Sequence, residues 1–292
     1  MAIVTTGFFD GVHLGHRHVI SSLVSAAEAR GEESVVVTFW PHPRTVLQDG
    51  ARELRLLTSL QEKKQVLAEL GVDKVQVLEF SREFSRLTVE EYLKEYVIGR
   101  FNADTVLIGY DNRFGNASES CNILETAEKL GLEVLKCSSV DASGIPVSST
   151  RIRQALESGR VEQAAAMLGR PYELFGVVIG GNRIGRTLGF PTANMNLYEP
   201  LKLVPANGVY LTEVRTLGKR FYGMTNIGTR PTIGKDSHPV IETHIFDFDE
   251  QIYGLDIRIR LLRKIRDEKH FDSLDLLREQ LLQDEINCLK LI

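Results

Sequence analysis

GFFDGVHLGH, Gly7 to His16, follows the apolar run Ala2 to Thr6 and precedes a stretch with helical spacing; that order decides the fold of the first half. A buried strand that enters a glycine turn and leaves as a helix is one limb of a parallel sheet. Further along, Ser34 to Phe39, Lys74 to Leu78, Asp104 to Ile108 and Glu133 to Lys136 read as buried strands. Helical stretches separate them, two with capping-box starts, Ser59 with Glu62 and Thr88 with Glu91. This alternation implies right-handed crossovers and an α/β, doubly wound parallel sheet. Ligands bind such sheets beyond the carboxyl ends of the strands. GFFDGVHLGH, FWPHP (Phe39 to Pro43) and GYDNRFG (Gly109 to Gly115) are therefore expected on one rim.

The pattern changes after Ser149. Residues 150 to 169 read as helical, with Gly159 and Gly169 as stops. Strands then dominate: Phe175 to Ile179, Gly208 to Thr216, Arg220 to Ile227, Val240 to Phe248 and Ile252 to Leu262. Leu217-Gly218 and Asp249-Glu250 supply turns, and short consecutive strands without helices imply an antiparallel barrel. A last amphipathic helix covers Ser273 to Leu289. The boundary is expected between residues 160 and 172, giving domains 1–165 and 166–292.

A length of 292 residues suits two cores rather than one. A net charge of −4 provides no overall basic field, which argues against a nucleic-acid binder. Three scattered cysteines, Cys121, Cys137 and Cys288, without CxxC spacing, argue against a disulfide framework or a structural zinc site. No apolar run approaches a membrane span. The amino terminus reads as a buried strand rather than a signal peptide, so the reducing cytoplasm is the expected location.

In the first motif Gly7, Gly11 and Gly15 allow close backbone approach to a ligand. His13 and His16, three apart at a helix start, fall on one side beside free N–H groups and the positive dipole end, where phosphate is the natural occupant. VSSTRIR (Val147 to Arg153) reads either as a second phosphate clamp or as a serine N-cap on a surface helix with solvated arginines. His42 reads as a turn histidine, Trp40 as packing or a wall of the ligand site, and His18 as a helix-surface residue.

Together, GFFDGVHLGH, FWPHP, GYDNRFG and SSTRIR resemble the adenylyltransferase module of bacterial bifunctional riboflavin kinase/FAD synthetases, a Rossmann-like HxGH nucleotidyltransferase. The resemblance implies an ATP site formed by Gly7, Phe9, Asp10, Gly11, His13 and His16, completed by Asp111, Ser149, Thr150 and Arg153. His13, His16 and Arg153 would act on the phosphates. Asp10 remains open between orienting the loop and forming an Asx turn. Asn112 stands where a phenylalanine is more usual in the family. The acceptor would be the phosphate of FMN, already ionised near neutral pH, so positioning and charge neutralisation suffice.

The second half has no GxxxxGK[ST] loop. It has Gly180-Gly181, Gly185-Arg186 and LGFPTANM (Leu188 to Met195), glycines that suit phosphate contact or plain hairpin turns. Thr192 and Asn194 alternate onto one face of an extended chain, and their oxygens are hard ligands suited to Mg²⁺ when phosphates fill other positions. Glu242, in the apolar VIETHIFDF (Val240 to Phe248), reads as a partly buried base or an exposed strand residue; His244 shares its face.

GVVIGGNRIGRTLGFPTANM (Gly176 to Met195), NGVY (Asn207 to Tyr210), IETHIFDF and RDEKHFDSL (Arg266 to Leu274) resemble riboflavin kinase. That implies a six-stranded antiparallel Greek-key barrel with a terminal helix. It also implies ATP phosphates near Gly180, Gly181, Gly185 and Arg186, with Mg²⁺ held with help from Thr192 and Asn194. Glu242 would be the base for the riboflavin 5′-hydroxyl, and Arg266, Glu268 and Phe271 the flavin-side loop, with packing as the competing role for Phe271. The implied ligands are riboflavin, FMN, FAD and ATP, with Mg²⁺ as cofactor. Three rivals stand beside this reading: a riboflavin kinase with a degenerate first domain, a flavin-sensing regulator without turnover, and a transferase acting on another phosphorylated acceptor.

Overall fold

β1 (Ala2–Thr6) is buried along its whole length because it lies at the centre of a five-stranded sheet. The chain continues through α1 (Leu14–Arg30), β2 (Glu33–Trp40), α2 (Pro43–Leu47), α3 (Leu60–Glu69) and β3 (Lys74–Glu79). Next come α4 (Val89–Tyr92), which runs on as a wider helical turn through Leu93–Arg100, then β4 (Ala103–Ile108), α5 (Ile123–Lys129) and β5 (Glu133–Lys136). The sheet order is β3-β2-β1-β4-β5, with every pair parallel. A computed structural model describes residues 1–47, 54–109, 123–137, 141–142, 145–181, 184–229 and 239–292.

Alternating side chains give this sheet two apolar faces. Ala2, Val4, Val37 and Val106 pack with Tyr92, Leu93 and Val97. Ile3, Val36 and Leu107 pack with Ile20, Leu23 and Leu67. Both capping boxes form: Ser59 caps α3 with Glu62, and Thr88 caps α4 with Glu91. The five strands expected from the sequence are these five, each within a residue of its expected ends.

A small hairpin, β6 (Asp141–Ala142) with β7 (Ile145–Pro146), precedes α6 (Ser149–Glu157) and α7 (Val161–Leu168). Contacts divide the chain into Met1–Ser149 and Thr150–Ile292, so α7 and most of α6 belong to the second unit. There the Ala206 N–H donates to the Leu156 carbonyl, 3.0 Å. The rest of that unit comprises β8 (Tyr172–Ile179), α8 (Ile184–Thr187), β9 (Ala193–Leu197), β10 (Gly208–Thr216), β11 (Lys219–Thr229), β12 (Pro239–Ile245), β13 (Asp256–Arg266) and α9 (Leu274–Leu289). Its six strands close a barrel in the order β10-β11-β12-β9-β8-β13, all pairs antiparallel. Inside run fully buried threonines, whose hydroxyls bond Thr212 to Thr225 (3.0 Å) and Thr225 to Thr243 (2.9 Å). Cys288 of α9 packs with Phe190, Val209, Leu211 and Met224.

Four barrel-strand ends differ from expectation by three residues or more: β8 begins at Tyr172 rather than Phe175, β13 runs on to Arg266 rather than Leu262, and the other two lie at the β12–β13 connection. β12 stops at Ile245 and β13 begins at Asp256, so the loop between them is longer than the apolar pattern suggested. Phe246 and Ile252 are buried from that loop, whose backbone turns through positive φ at Asp247 and Gly254. Apolar anchors in a loop imitate strand residues in a one-dimensional pattern. β9, which carries Asn194, was not among the strands expected from the spacing.

Candidate active sites

In the first unit β1 ends between β2 and β4, at the switch point of the sheet. The chain leaves through a turn with positive φ at Phe9 (51°), Gly11 (81°) and Val12 (40°). Glycine adopts that region cheaply; Phe9 and Val12 do so only where contacts over-determine the backbone. Asp10 supplies several of those contacts. Its buried carboxylate accepts from the Leu57 N–H (3.0 Å), the Thr58 N–H (3.1 Å) and the Thr58 hydroxyl (3.3 Å). The Gly11 N–H donates to Thr58 Oγ1 (3.0 Å), and Ser149 Oγ donates to the Asp10 carbonyl (3.1 Å).

The clamp delivers two histidines to the start of α1. His13 is its N-cap: Nδ1 accepts from the His16 N–H at 3.3 Å. Its proton therefore sits on Nε2. The two rings stack with centroids 3.6 Å apart and planes 16° apart. His16 Nδ1 is buried with no hydrogen-bond partner among the described residues. A lone pair there costs less than an orphaned N–H, which leaves Nε2 as the donor on this ring too. Burial, then the neighbouring His13 and Lys63, holds the His16 pKa well below the usual histidine range. Two neutral imidazoles at a helix N-terminus donate hydrogen bonds to an anion without needing a proton from solvent.

Lys63 lies beneath the same turn, and no sequence pattern pointed to it. It is fully buried beneath the turn, donating to the Phe8 carbonyl (2.6 Å) and Thr38 Oγ1 (3.3 Å) with its Nζ 3.8 Å over the Phe8 ring. Burial lowers its pKa to about 8 against the opposing pull of Asp10. Of the other expected residues, Gly7 donates its N–H to the Val37 carbonyl (3.0 Å). Thr150 and Arg153 lie on α6 in the second unit. Asp111 and Asn112 lie outside the described residues. His42 organises a turn, accepting from the Arg44 N–H (3.0 Å).

In the barrel, β12 pairs Glu242 with Asn226 of β11 and Asn194 of β9. Glu242, His244, Thr192, Asn226 and Phe271 line a cavity of about 380 Å³. A second cavity of about 210 Å³ is lined by Arg186, Pro191, Ala193, Thr243 and Tyr253. Thr192 belongs to both. The Gly185 carbonyl accepts from Leu188 and Phe190 N–H groups (3.1 and 2.8 Å), forming the turn before the PTAN segment. Gly181 is required for close approach, since a Cβ there would collide with the Asn194 amide; Gly180 is exposed.

The loop after β13 closes the larger cavity. Arg266 bonds Asp284 of α9, Nε at 2.8 Å and Nη2 at 2.8 Å. Asp284 is buried, so this guanidinium is a strut between strand and helix. Glu268 accepts from Asn207 Nδ2 (2.7 Å). The Arg266 and Lys269 cations lie 5.7 and 5.5 Å from the Phe271 ring.

A family model described as FAD synthetase matches residues 1–151, and one described as riboflavin kinase matches residues 168–292. The bifunctional riboflavin kinase/FMN adenylyltransferase of Bacillus subtilis (strain 168) is 34% identical, covering 99% of this chain and 92% of the relative. The chain belongs to the bifunctional riboflavin kinase/FMN adenylyltransferase family. The relative of the same name from Escherichia coli (strain K12) is 36% identical over 98% of this chain and 91% of its own length. A crystal structure named as a macrolide-efflux protein from Streptococcus pneumoniae superposes with a TM-score of 0.89 at 33% identity, over 97% of this chain and 92% of that one. Among the described residues no helix is long and apolar enough to cross a membrane. The bifunctional family therefore accounts for both halves, the parallel sheet with one and the barrel with the other.

Proposed function

We propose that this chain converts riboflavin to FMN in the barrel and FMN to FAD on the parallel sheet, consuming one ATP at each step. The division of labour would follow residues 1–165 and 166–292. What supports the reading most is Thr192, shared by two adjoining cavities, with Glu242 in the larger. A flavin alcohol in the larger cavity and a triphosphate in the smaller would meet there.

In the barrel, Glu242 takes the proton of the ribityl 5′-hydroxyl as its oxygen bonds to the γ-phosphorus of ATP, and the bond to the ADP oxygen breaks. Arg186 and the turn at Gly185 face the phosphates, while Phe271 and Glu268 border the flavin. Thr192 and Asn194 fit Mg²⁺ as oxygen donors, with Asn194 seated in the space Gly181 leaves. Substrate phosphates would fill the remaining positions of such an ion. When bound, Mg²⁺ would neutralise charge developing on the transferred group.

On the sheet, an FMN phosphate oxygen attacks the α-phosphorus of ATP and pyrophosphate leaves. The nucleophile is already ionised, since a phosphate monoester has a second pKa near 6. No base is needed, and His13, His16 and the α1 terminus act as donors to phosphate. Asp10 and Lys63 hold the turn that positions them. Both reactions draw on ATP, and three scattered cysteines suit a reducing compartment, so the enzyme is assigned to the cytoplasm. Chromatography of riboflavin incubated with ATP and Mg²⁺ tests the whole reading: FMN appears first, then FAD, with ADP and pyrophosphate as co-products. ATP consumption without a phosphorylated or adenylylated flavin would overturn it.

A further inference from the structure

His244 lies two residues beyond Glu242 on the same face of β12 and lines the same cavity. Its Nδ1 is 2.8 Å from the Pro191 carbonyl. A carbonyl only accepts, so Nδ1 carries the proton. The ring is held on its other sides by the edges of Phe190 (centroids 5.2 Å) and Phe246 (5.9 Å), with Glu285 of α9 3.9 Å from Nε2.

That hydrogen bond falls where the backbone has least support of its own. The Phe190 N–H is anchored to the Gly185 carbonyl, and Ala193 is paired with Thr243. Between these anchors Pro191 has no N–H to donate, and its carbonyl is taken by His244. The peptide joining Pro191 to Thr192 is planar, with its C=O and N–H on opposite edges. Fixing the carbonyl toward His244 fixes the Thr192 N–H on the edge facing away from it. His244 lines only the larger cavity, whereas Pro191, Thr192 and Ala193 all line the smaller one.

We infer that His244 is a positioning residue for phosphoryl transfer: by holding the Pro191 carbonyl it aims the Thr192 amide N–H, and the Thr192 side chain with it, at the triphosphate. The inference rests on the kinase reading of the barrel. It makes Thr192 N–H a phosphate donor on the nucleotide side, set in place by a side chain on the flavin side.

The test compares His244→Phe, which keeps a ring against Phe190 but donates nothing, with His244→Asn, whose amide nitrogen is bonded to Cγ as Nδ1 is. His244→Phe is expected to lower kcat for riboflavin phosphorylation by about 10²-fold, the order that an ångström of misplacement costs. Riboflavin affinity, read by quenching of flavin fluorescence, stays unchanged, and so does FMN adenylylation, which serves as the folding control. His244→Asn recovers most of the lost kcat. The inference is overturned by a His244→Phe enzyme with wild-type kcat, by a His244→Asn enzyme no better than His244→Phe, or by parallel loss of riboflavin binding. Failure of the wild type to phosphorylate riboflavin would overturn the kinase reading itself, a result visible before any variant is made.

Discussion

The two sites solve different problems with different materials. The sheet site is a strained turn, clamped from below by Asp10 and the buried Lys63, that presents neutral donors at a helix end. The barrel site is a carboxylate on a paired strand, facing a cavity closed by a loop that Arg266 ties to α9. An acceptor that arrives ionised needs only donors, and on the proposed reading those would come from backbone and imidazole. An alcohol must lose a proton, and that requires a base on a rigid element.

The sharpest way to break the contrast is Glu242→Gln. It is expected to lower riboflavin phosphorylation by about 10²–10⁴-fold, the usual worth of a positioned base, while FMN adenylylation by the same preparation continues. An intermediate effect is expected from His16→Ala, where FAD formation from FMN falls by about 10²–10³-fold, as for one lost transition-state donor. Phosphorylation of riboflavin should be untouched. If either substitution damaged both reactions equally, the separation drawn here would fail.

Lys63→Met probes the clamp. It removes the ammonium donor of the Phe8 carbonyl, which keeps the Thr38 hydroxyl at 3.2 Å; a hydrogen bond to a charged group is worth about 1.5–3 kcal/mol. Thermal unfolding should show it, together with weaker adenylylation and normal kinase activity. Wild-type melting and adenylylation in this variant would relegate Lys63 to filler.

A pH series sharpens the electrostatic half of the comparison. His16 is held below its ordinary value of 6.5 by burial first, so the unfolded chain binds more protons between that depressed value and 6.5. Stability of the sheet unit should fall as pH drops through this window and be complete above it. Lys63 titrates near 8 rather than 10.5, so its penalty is present below 8 and is relieved as pH rises through that interval. His16→Phe should flatten the acid limb of the melting profile; an unchanged limb contradicts the assignment. The smallest effect is expected from Ser59→Ala, which removes the cap of the helix carrying Lys63 and costs about 1 kcal/mol, read as a modest fall in melting temperature.

The sequence was legible where chemistry is local. GFFDGVHLGH places a strand end, a turn and a helix start within ten residues, so its register survives in one dimension. Lys63 was invisible because LQEKKQVLAE has the composition of a solvated helix face; only the tertiary contact with Phe8, 55 residues away, reveals a buried cation. Strand alternation put His244 on the Glu242 face but did not name its partner, since Pro191 is 53 residues distant. Arg266 falls in a segment for which the resemblance implies a flavin-side loop, whereas its tie to the buried Asp284 depends on how α9 packs. Local motifs show in sequence; the side chains that brace them from afar do not.

Mixing the two single-site variants tests the central claim most directly. Glu242→Gln alone should leave riboflavin unconverted, and His16→Ala alone should stop at FMN. Combined in one tube with riboflavin, ATP and Mg²⁺, they should yield FAD, because FMN released by one is adenylylated by the other. A mixture that makes no FAD, or a single variant that makes it at the wild-type rate, contradicts two independent sites on one chain.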